Sequence, residues 1–451
     1  MRTCILLCAG EGSKMWPYAT IRPKAMIPVA ARPLIQHTVE DLLDLGISQV
    51  LIAAGSFPGQ YEGLFAHEDR VHVMDVGQSK GAAQTLLNAL AATTEEDFVV
   101  LYGDVLYAKN ALKGFLEQAS TSSQPLLFLY PSTDGIAVEV DAGRVTGITG
   151  HPRSGPHMAF AGIACDRRLV KHLEGNPGYF RQVPVGVMSP LEAFLEQSVA
   201  QMMAETQLLA FQCQADEAVD LDRPWDILRA NRIKAGQLCS ALSGHELMEG
   251  ASIDPSADLR GYVRLGRNSK IGRNVIIAGP AVIGDDTVID NGALLMGNNV
   301  IGQGCTITNA CFVDEGAVVG NHCVINHAAE LWGVIFDGVY LYHYMHIFGI
   351  VGERSDIGAA TVCGSLRFDD GRTAHRVKGR REYPATDADA TYIGDFCRTG
   401  VNVTFWPGKK VGCYSVVGAG TILDRDVPDR TLIYPRQELV TKPWGPEQYG
   451  W

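Results

Sequence analysis

From Leu265 onward every sixth residue is aliphatic: Ile271, Ile277, Ile283, Ile289, Leu295, Ile301, Ile307, Val313, Val319, Ile325 and Leu331. Four residues after each stands a mostly small one, among them Ser269, Ala281, Thr287, Ala293, Cys305, Cys311, Ala317, Cys323 and Ala329, and glycine often follows the aliphatic position, as at Gly266, Gly272, Gly284, Gly302 and Gly320. A six-residue period of this kind specifies a parallel β-helix, in which three short strands and three turns make one coil. Each aliphatic side chain points into a narrow prism and stacks on its equivalent one coil away, while the small residue relieves crowding near the corner. The frame stops after Leu331, resumes at Ile357, and after an interruption returns at Ile393, Phe405, Val411, Val417 and Leu423. Between 364 and 391 the period vanishes and charge rises (Arg367, Asp369, Asp370, Arg372, Arg376, Lys378, Arg380, Arg381), which predicts a loop leaving the prism. Loops of this sort carry function more often than regular coils do.

The repeat accounts for less than half of the 451 residues, which leaves room for at least one more domain with its own core. A formal net charge of -12 argues against nonspecific binding to a phosphate polymer, although a few lysines and backbone N–H groups suffice for a small phosphorylated ligand. The apolar run at 4–9 is too short for a signal peptide and no stretch reaches membrane-spanning length, so a cytoplasmic location is expected. Eleven cysteines without a CxxC pair predict reduced thiols, and Cys305, Cys311 and Cys323 fall on the small position of the repeat as packing residues.

The first half begins with a short apolar strand that runs into GEGSKM at 10–15. Glycines directly after a buried strand let backbone N–H groups approach an anionic ligand. In RPKAMIPV (22–29) Lys24 lies between two prolines that stiffen the backbone around it. Ile35, Val39, Leu42 and Leu43 follow helical spacing, Gly46 ends that helix, and a strand at 50–54 follows, which together predict a parallel sheet. A further strand at 98–102 ends in Gly103 and Asp104, putting a carboxylate at the carboxyl edge where open α/β sheets bind ligands. A second carboxylate comes from DLDRPWD, with Asp220 and Asp222 both available.

In this order the pieces resemble the sugar-1-phosphate nucleotidyltransferases, in particular the bifunctional nucleotidyltransferase/acetyltransferases of the GlmU type, including their archaeal-like branch. The motifs are AGEGSKM, RPKAMIPV, GQSKGAA (77–83), YGD and VDLDRPWDILRAN in the first half, with GAATVCGSLRFDDG and YIGDFCRTGVNVTFWPG in the second. The resemblance implies a Rossmann-like (GT-A-like) α/β nucleotidyltransferase domain over 1–235, a helical linker over 236–250, a left-handed β-helix over 251–435 with the excursion at 365–391, and a tail over 436–451. It implies Mg²⁺ held by Asp104 and Asp222, with Asp220 as the alternative ligand. Ala9, Gly10, Gly12 and Gly103 would line the nucleotide pocket, Gln78 and Gly81 would contact the base, and Lys14 and Lys24 would serve the phosphates during catalysis. The substrates would be an NTP, UTP by default, and a sugar 1-phosphate. Four positions depart from the family pattern: Lys14 replaces an arginine, Ala82 a threonine, Gly150 and His151 a Glu-Lys pair, and Phe160 an asparagine.

Acyl transfer needs a base near neutral pKa, and histidine meets that need. His343 and His346, within YLYHYMH, lie where the resemblance places the catalytic histidine, with His343 preferred. Arg398, Lys409 and Lys410, with Lys378 and Arg380 from the excursion, are expected to meet the phosphates of acetyl-CoA, and Gly358 and Ala360 to flank its pantetheine arm. A homotrimer, or a multiple of one, is expected by the same resemblance.

Overall fold

The computed structural model describes residues 2–150, 155–183 and 188–449. The second half is a three-sided stack of parallel strands. Its first face carries Val263–Leu265, Ala281–Ile283, Asn299–Ile301 and Val318–Val319, with Leu265 opposite Ile283 and Ile283 opposite Ile301. The second face is a ten-stranded sheet from Ser252–Ile253 to Leu432–Ile433, and the third runs together with the first. The aliphatic series from Leu265 to Leu331 fills the prism, and Cys305, Cys311 and Cys323 are buried beside it as free thiols.

The sequence frame needs one correction. The series does not stop at Leu331, because Ile335, Leu341, Ile347 and Val351 join the same core. The step shrinks from six residues to four between Leu331 and Ile335 and again between Ile347 and Val351, so that third and first faces are joined by the unbroken strands Glu330–Ile335 and His346–Val351. Gly333 and Gly349 make those bends at φ +140° and +130°, and a Cβ on Gly333 would lie 2.1 Å from the Gly349 carbonyl oxygen. Only glycine satisfies both the angle and the space.

The first half is built on a nine-stranded sheet. Val71–Asp75, Gln49–Ala54, Thr3–Cys8 and Asp97–Tyr102 are adjacent and parallel, and His157–Asp166 then pairs antiparallel to the last of them. The helix expected from periodicity spans Leu34–Asp44 and buries Leu34, Ile35, Val39 and Leu42. A later helix, Pro224–Ser240, extends past residue 235 and presses Ile227, Leu228, Ala230 and Ala235 against Val300, Val318, Val334, Ile350 and Tyr392 of the first prism face. Met15, Tyr18 and Ile27 belong to that same buried cluster, so the two halves share an apolar core. Arg22 adds a buried link, with Nη1 and Nη2 3.1 and 2.9 Å from Asp395 and Nη2 2.9 Å from Glu353. The segment between Val362–Cys363 and Thr391–Ile393 leaves the prism and contains an antiparallel hairpin, His375–Val377 with Arg380–Glu382. Among the described residues no helix is long and apolar enough to cross a membrane.

Candidate active site

A pocket of about 520 Å³ opens at the carboxyl ends of Thr3–Cys8 and Asp97–Tyr102. One wall is the glycine loop, Ala9 to Lys14, and the opposite wall is Ser79 to Ala82. Gly12 stands at φ +65°, where an added Cβ would come within 2.9 Å of the Lys24 Cγ, so the absent side chain makes room for the lysine stem. Gly81, at φ +135°, begins the helix Ala82–Leu90 and would collide with Ala193 backbone at 2.7 Å if it carried a side chain.

The floor is an ionic cluster. Lys24 Nζ lies 2.6 Å from Asp104 Oδ2 and 3.6 Å from Asp222 Oδ1, and Lys14 Nζ lies 2.7 Å from Asp222 Oδ2. The two aspartates, far apart in sequence, therefore converge on a single ammonium. Burial works against the Lys24 charge, but Asp104, Asp220 and Asp222 outweigh it and raise its pKa. Burial also disfavours the Asp222 carboxylate, yet Lys24, Lys14 and Arg223 hold its pKa below the ordinary value. Asp220 differs: it ends the strand Ala218–Asp220 and is absent from the pocket wall, and burial raises its pKa against the pull of Lys24. Of the two, Asp222 is the one that faces the pocket. Two carboxylates are hard oxygen donors that suit Mg²⁺, which keeps several waters and takes phosphate oxygens as further ligands. Among the described residues no cluster of three or more candidate metal ligands is present.

Lys14, Lys24, Ala9, Gly10, Gly12, Gly81, Asp104 and Asp222 are thus brought together. Gln78 and Gly103 are not on the wall: Gly103 packs between strands, where a Cβ would meet Cys8 Sγ at 2.2 Å. Ala82 lines the pocket, Phe160 is buried with its ring 6.0 Å from that of Tyr102, and His151 lies outside the described residues. Lys80, Glu192 and Lys378 were not expected there. Lys80 was legible inside GQSKGAA; Glu192 carries no sequence signal.

On the β-helix the expected residues are dispersed. His343 occupies the corner between second and third faces at φ +71°, its ring stacked on His327 at 4.6 Å, and Ala360 lies one coil on, donating its N–H to the His343 carbonyl at 3.2 Å. His346, on the third face, is 3.2 Å from Glu330 through Nδ1 and lines a cavity of about 420 Å³ with Arg232, Trp332 and Asp387. Arg398 belongs to the second face, and Gly358 directly follows its strand Asp356–Ile357, where a Cβ would lie 2.3 Å from the Gly400 carbonyl oxygen. Lys409 lines a cleft of about 1130 Å³ with Arg376 and Arg381, whereas Arg380 is exposed and outside it. Two of the expected coenzyme contacts need correction. Lys410 is buried and donates to the Arg376 carbonyl at 3.3 Å, and Lys378 lines the pocket of the first domain with Lys14 and Lys24, because the hairpin folds back toward that domain.

Residues 4–205 match the MobA-like NTP transferase domain family. The bifunctional protein GlmU of Methanocaldococcus jannaschii is 27% identical over 440 residues, covering 97% of this chain and 98% of its own. The chain is similar to the GlmU-type proteins along almost its whole length. GlmU of Methanococcus maripaludis is 29% identical with the same coverage, and the bifunctional sugar-1-phosphate nucleotidylyltransferase/acetyltransferase of Sulfurisphaera tokodaii is 24% identical over 94% of this chain and 97% of its own. The GlmU-type match runs through both the ionic pocket and the β-helix.

Proposed function

We propose that this chain is a bifunctional enzyme of nucleotide-sugar synthesis. It couples an NTP, UTP by default, to a sugar 1-phosphate, and it transfers an acetyl group from acetyl-CoA to an amino-sugar phosphate. The observation that carries the first activity is the convergence of Asp104, Asp222, Lys24 and Lys14 beside a glycine-bordered pocket. A sugar-phosphate oxygen attacks the α-phosphorus, the new P–O bond forms as the α–β bond breaks, and the electron pair leaves with pyrophosphate. No protein nucleophile is needed. Asp104 and Asp222 would hold Mg²⁺, which when bound neutralises triphosphate charge. Lys14 balances charge on the departing pyrophosphate, Lys24 holds the transferring phosphate, and the N–H groups along Gly10 to Gly12 cradle the chain of phosphates.

For acetyl transfer, His343 and His346 are the two candidate bases. His343 sits at an open corner beside Ala360, while His346 has an orienting carboxylate in Glu330. The exposed Tyr340, Tyr342, Tyr344 and Val362 near that corner suit a homotrimer that shares acyl sites between subunits. Buried, reduced cysteines fit a cytoplasmic enzyme.

Pyrophosphate release with Mg²⁺, measured across common NTPs and sugar 1-phosphates, tests the first activity. Asp104→Asn and Asp222→Asn are each expected to lower it by about 100-fold or more; silence of the unsubstituted chain with every pair would overturn the reading. Thiol release from acetyl-CoA tests the second, and undiminished rates in both His343→Ala and His346→Ala would remove histidine as the base.

A further inference from the structure

We propose that Lys378, carried by the hairpin that leaves the β-helix, binds the phosphates in the nucleotide pocket of the first domain, so that one half of the molecule completes the binding site of the other. This rests on reading that pocket as a nucleotidyltransferase site. Lys378 lines the pocket together with Lys14, Lys24 and Lys80. Lys14 and Lys24 are each ion-paired with an aspartate, but Lys378 forms no salt bridge among the described residues, and its charge is felt at Glu192, whose burial-raised pKa it draws back down along with Lys14. An ammonium in a phosphate pocket without a carboxylate of its own is suited to an incoming anion.

The hairpin is built to keep it there. Val377 pairs with Arg380, leaving Lys378 and Gly379 as a two-residue turn with φ of +46° and +79°. Such a turn needs positive φ at both positions, and Asn-Gly is the comfortable choice. Lysine at the first position is disfavoured by its Cβ, so turn-forming preference does not explain why it stands there. Behind the tip, Glu382 accepts from Arg223 Nε at 2.6 Å, and Arg223 also bonds Asp222 on the pocket floor. The His375 ring lies 5.2 Å from Trp225 and 5.5 Å from Tyr392, its Nε2 donates to the Ala388 carbonyl at 2.7 Å, and Lys410 supports the strand from below through the Arg376 carbonyl. Arg232 grips Asp387 at 3.2 Å where the chain returns to the prism. The tip is thus fastened to the first domain on both sides of the turn.

The test is calorimetric titration of the full chain with inorganic tripolyphosphate, for Lys378→Arg, Lys378→Gln and Lys378→Glu against the unsubstituted protein. Affinity is expected to follow charge: near the original for Lys378→Arg, weaker by about tenfold or more for Lys378→Gln, and weaker again for Lys378→Glu. A disturbance of the turn alone would lower all three alike. Equal affinity in all four proteins, or equal loss in the three variants, overturns the proposal. Pyrophosphate release from NTP and sugar 1-phosphate, run in parallel, keeps the two readings apart: charge-ranked binding without turnover in the unsubstituted chain refutes nucleotidyl transfer and leaves Lys378 a phosphate ligand.

Discussion

Glu196 is buried behind Tyr102 of the pocket wall and accepts the Tyr102 hydroxyl at 2.9 Å. Burial pushes its carboxyl up to about 7 from the ordinary 4.5. A carboxyl raised in the folded state stabilises the fold fully below pH 4.5, and that contribution is lost as pH rises through 7. Glu196→Gln, which keeps an oxygen for Tyr102 but cannot ionise, is therefore expected to raise stability at pH 8 by roughly 1–3 kcal/mol and to change little at pH 4.5, as read by denaturant unfolding. At this scale the sequence was most legible where a residue's partner is its neighbour or its motif: Lys14, Lys24 and Asp104 are found where the motifs put them. It was least legible where tertiary approach decides, since nothing local distinguishes Lys378 from Arg380 beside it, yet only the first reaches the pocket.

The elements that periodicity announces are those whose burial repeats. The six-residue series names the prism core residue by residue because each coil repeats the same three turns. It fails between Leu331 and Ile357 because two corners lose residues there, and the four-residue step that results has no period to follow over so short a stretch. Gly333 and Gly349, which could be taken for ordinary repeat glycines, are the devices that shorten those corners. Gly349→Ala would drive a Cβ to within 2.0 Å of the Thr391 carbonyl oxygen at a φ of +130°, so a loss of about 3 kcal/mol or more is expected, measured as a lowered midpoint in denaturant.

Across the whole molecule, the contact between halves resembles an interior more than a docking surface. Tyr18 donates its hydroxyl to the Ile350 carbonyl at 3.0 Å, the Cys413 thiol reaches the Pro17 carbonyl at 3.2 Å, and the Arg22 guanidinium is ion-paired with a fully buried Asp395. Removing one partner of such a pair leaves the other charge stranded, so Arg22→Ala should cost about 3–5 kcal/mol. Calorimetry is expected to give one cooperative transition for the unsubstituted chain, displaced to lower temperature in the variant; two separated transitions in the unsubstituted chain would show the halves to be independent. Sequence could announce two architectures but not this joint, because the residues that build it, Tyr18, Leu228, Val318 and Tyr392, look like core residues of their own halves. A common interior also fixes a ratio. Where two chemistries ride on one indivisible folding unit, the cell cannot raise or withdraw one without the other, and every mutation that erodes the joint taxes both yields at once.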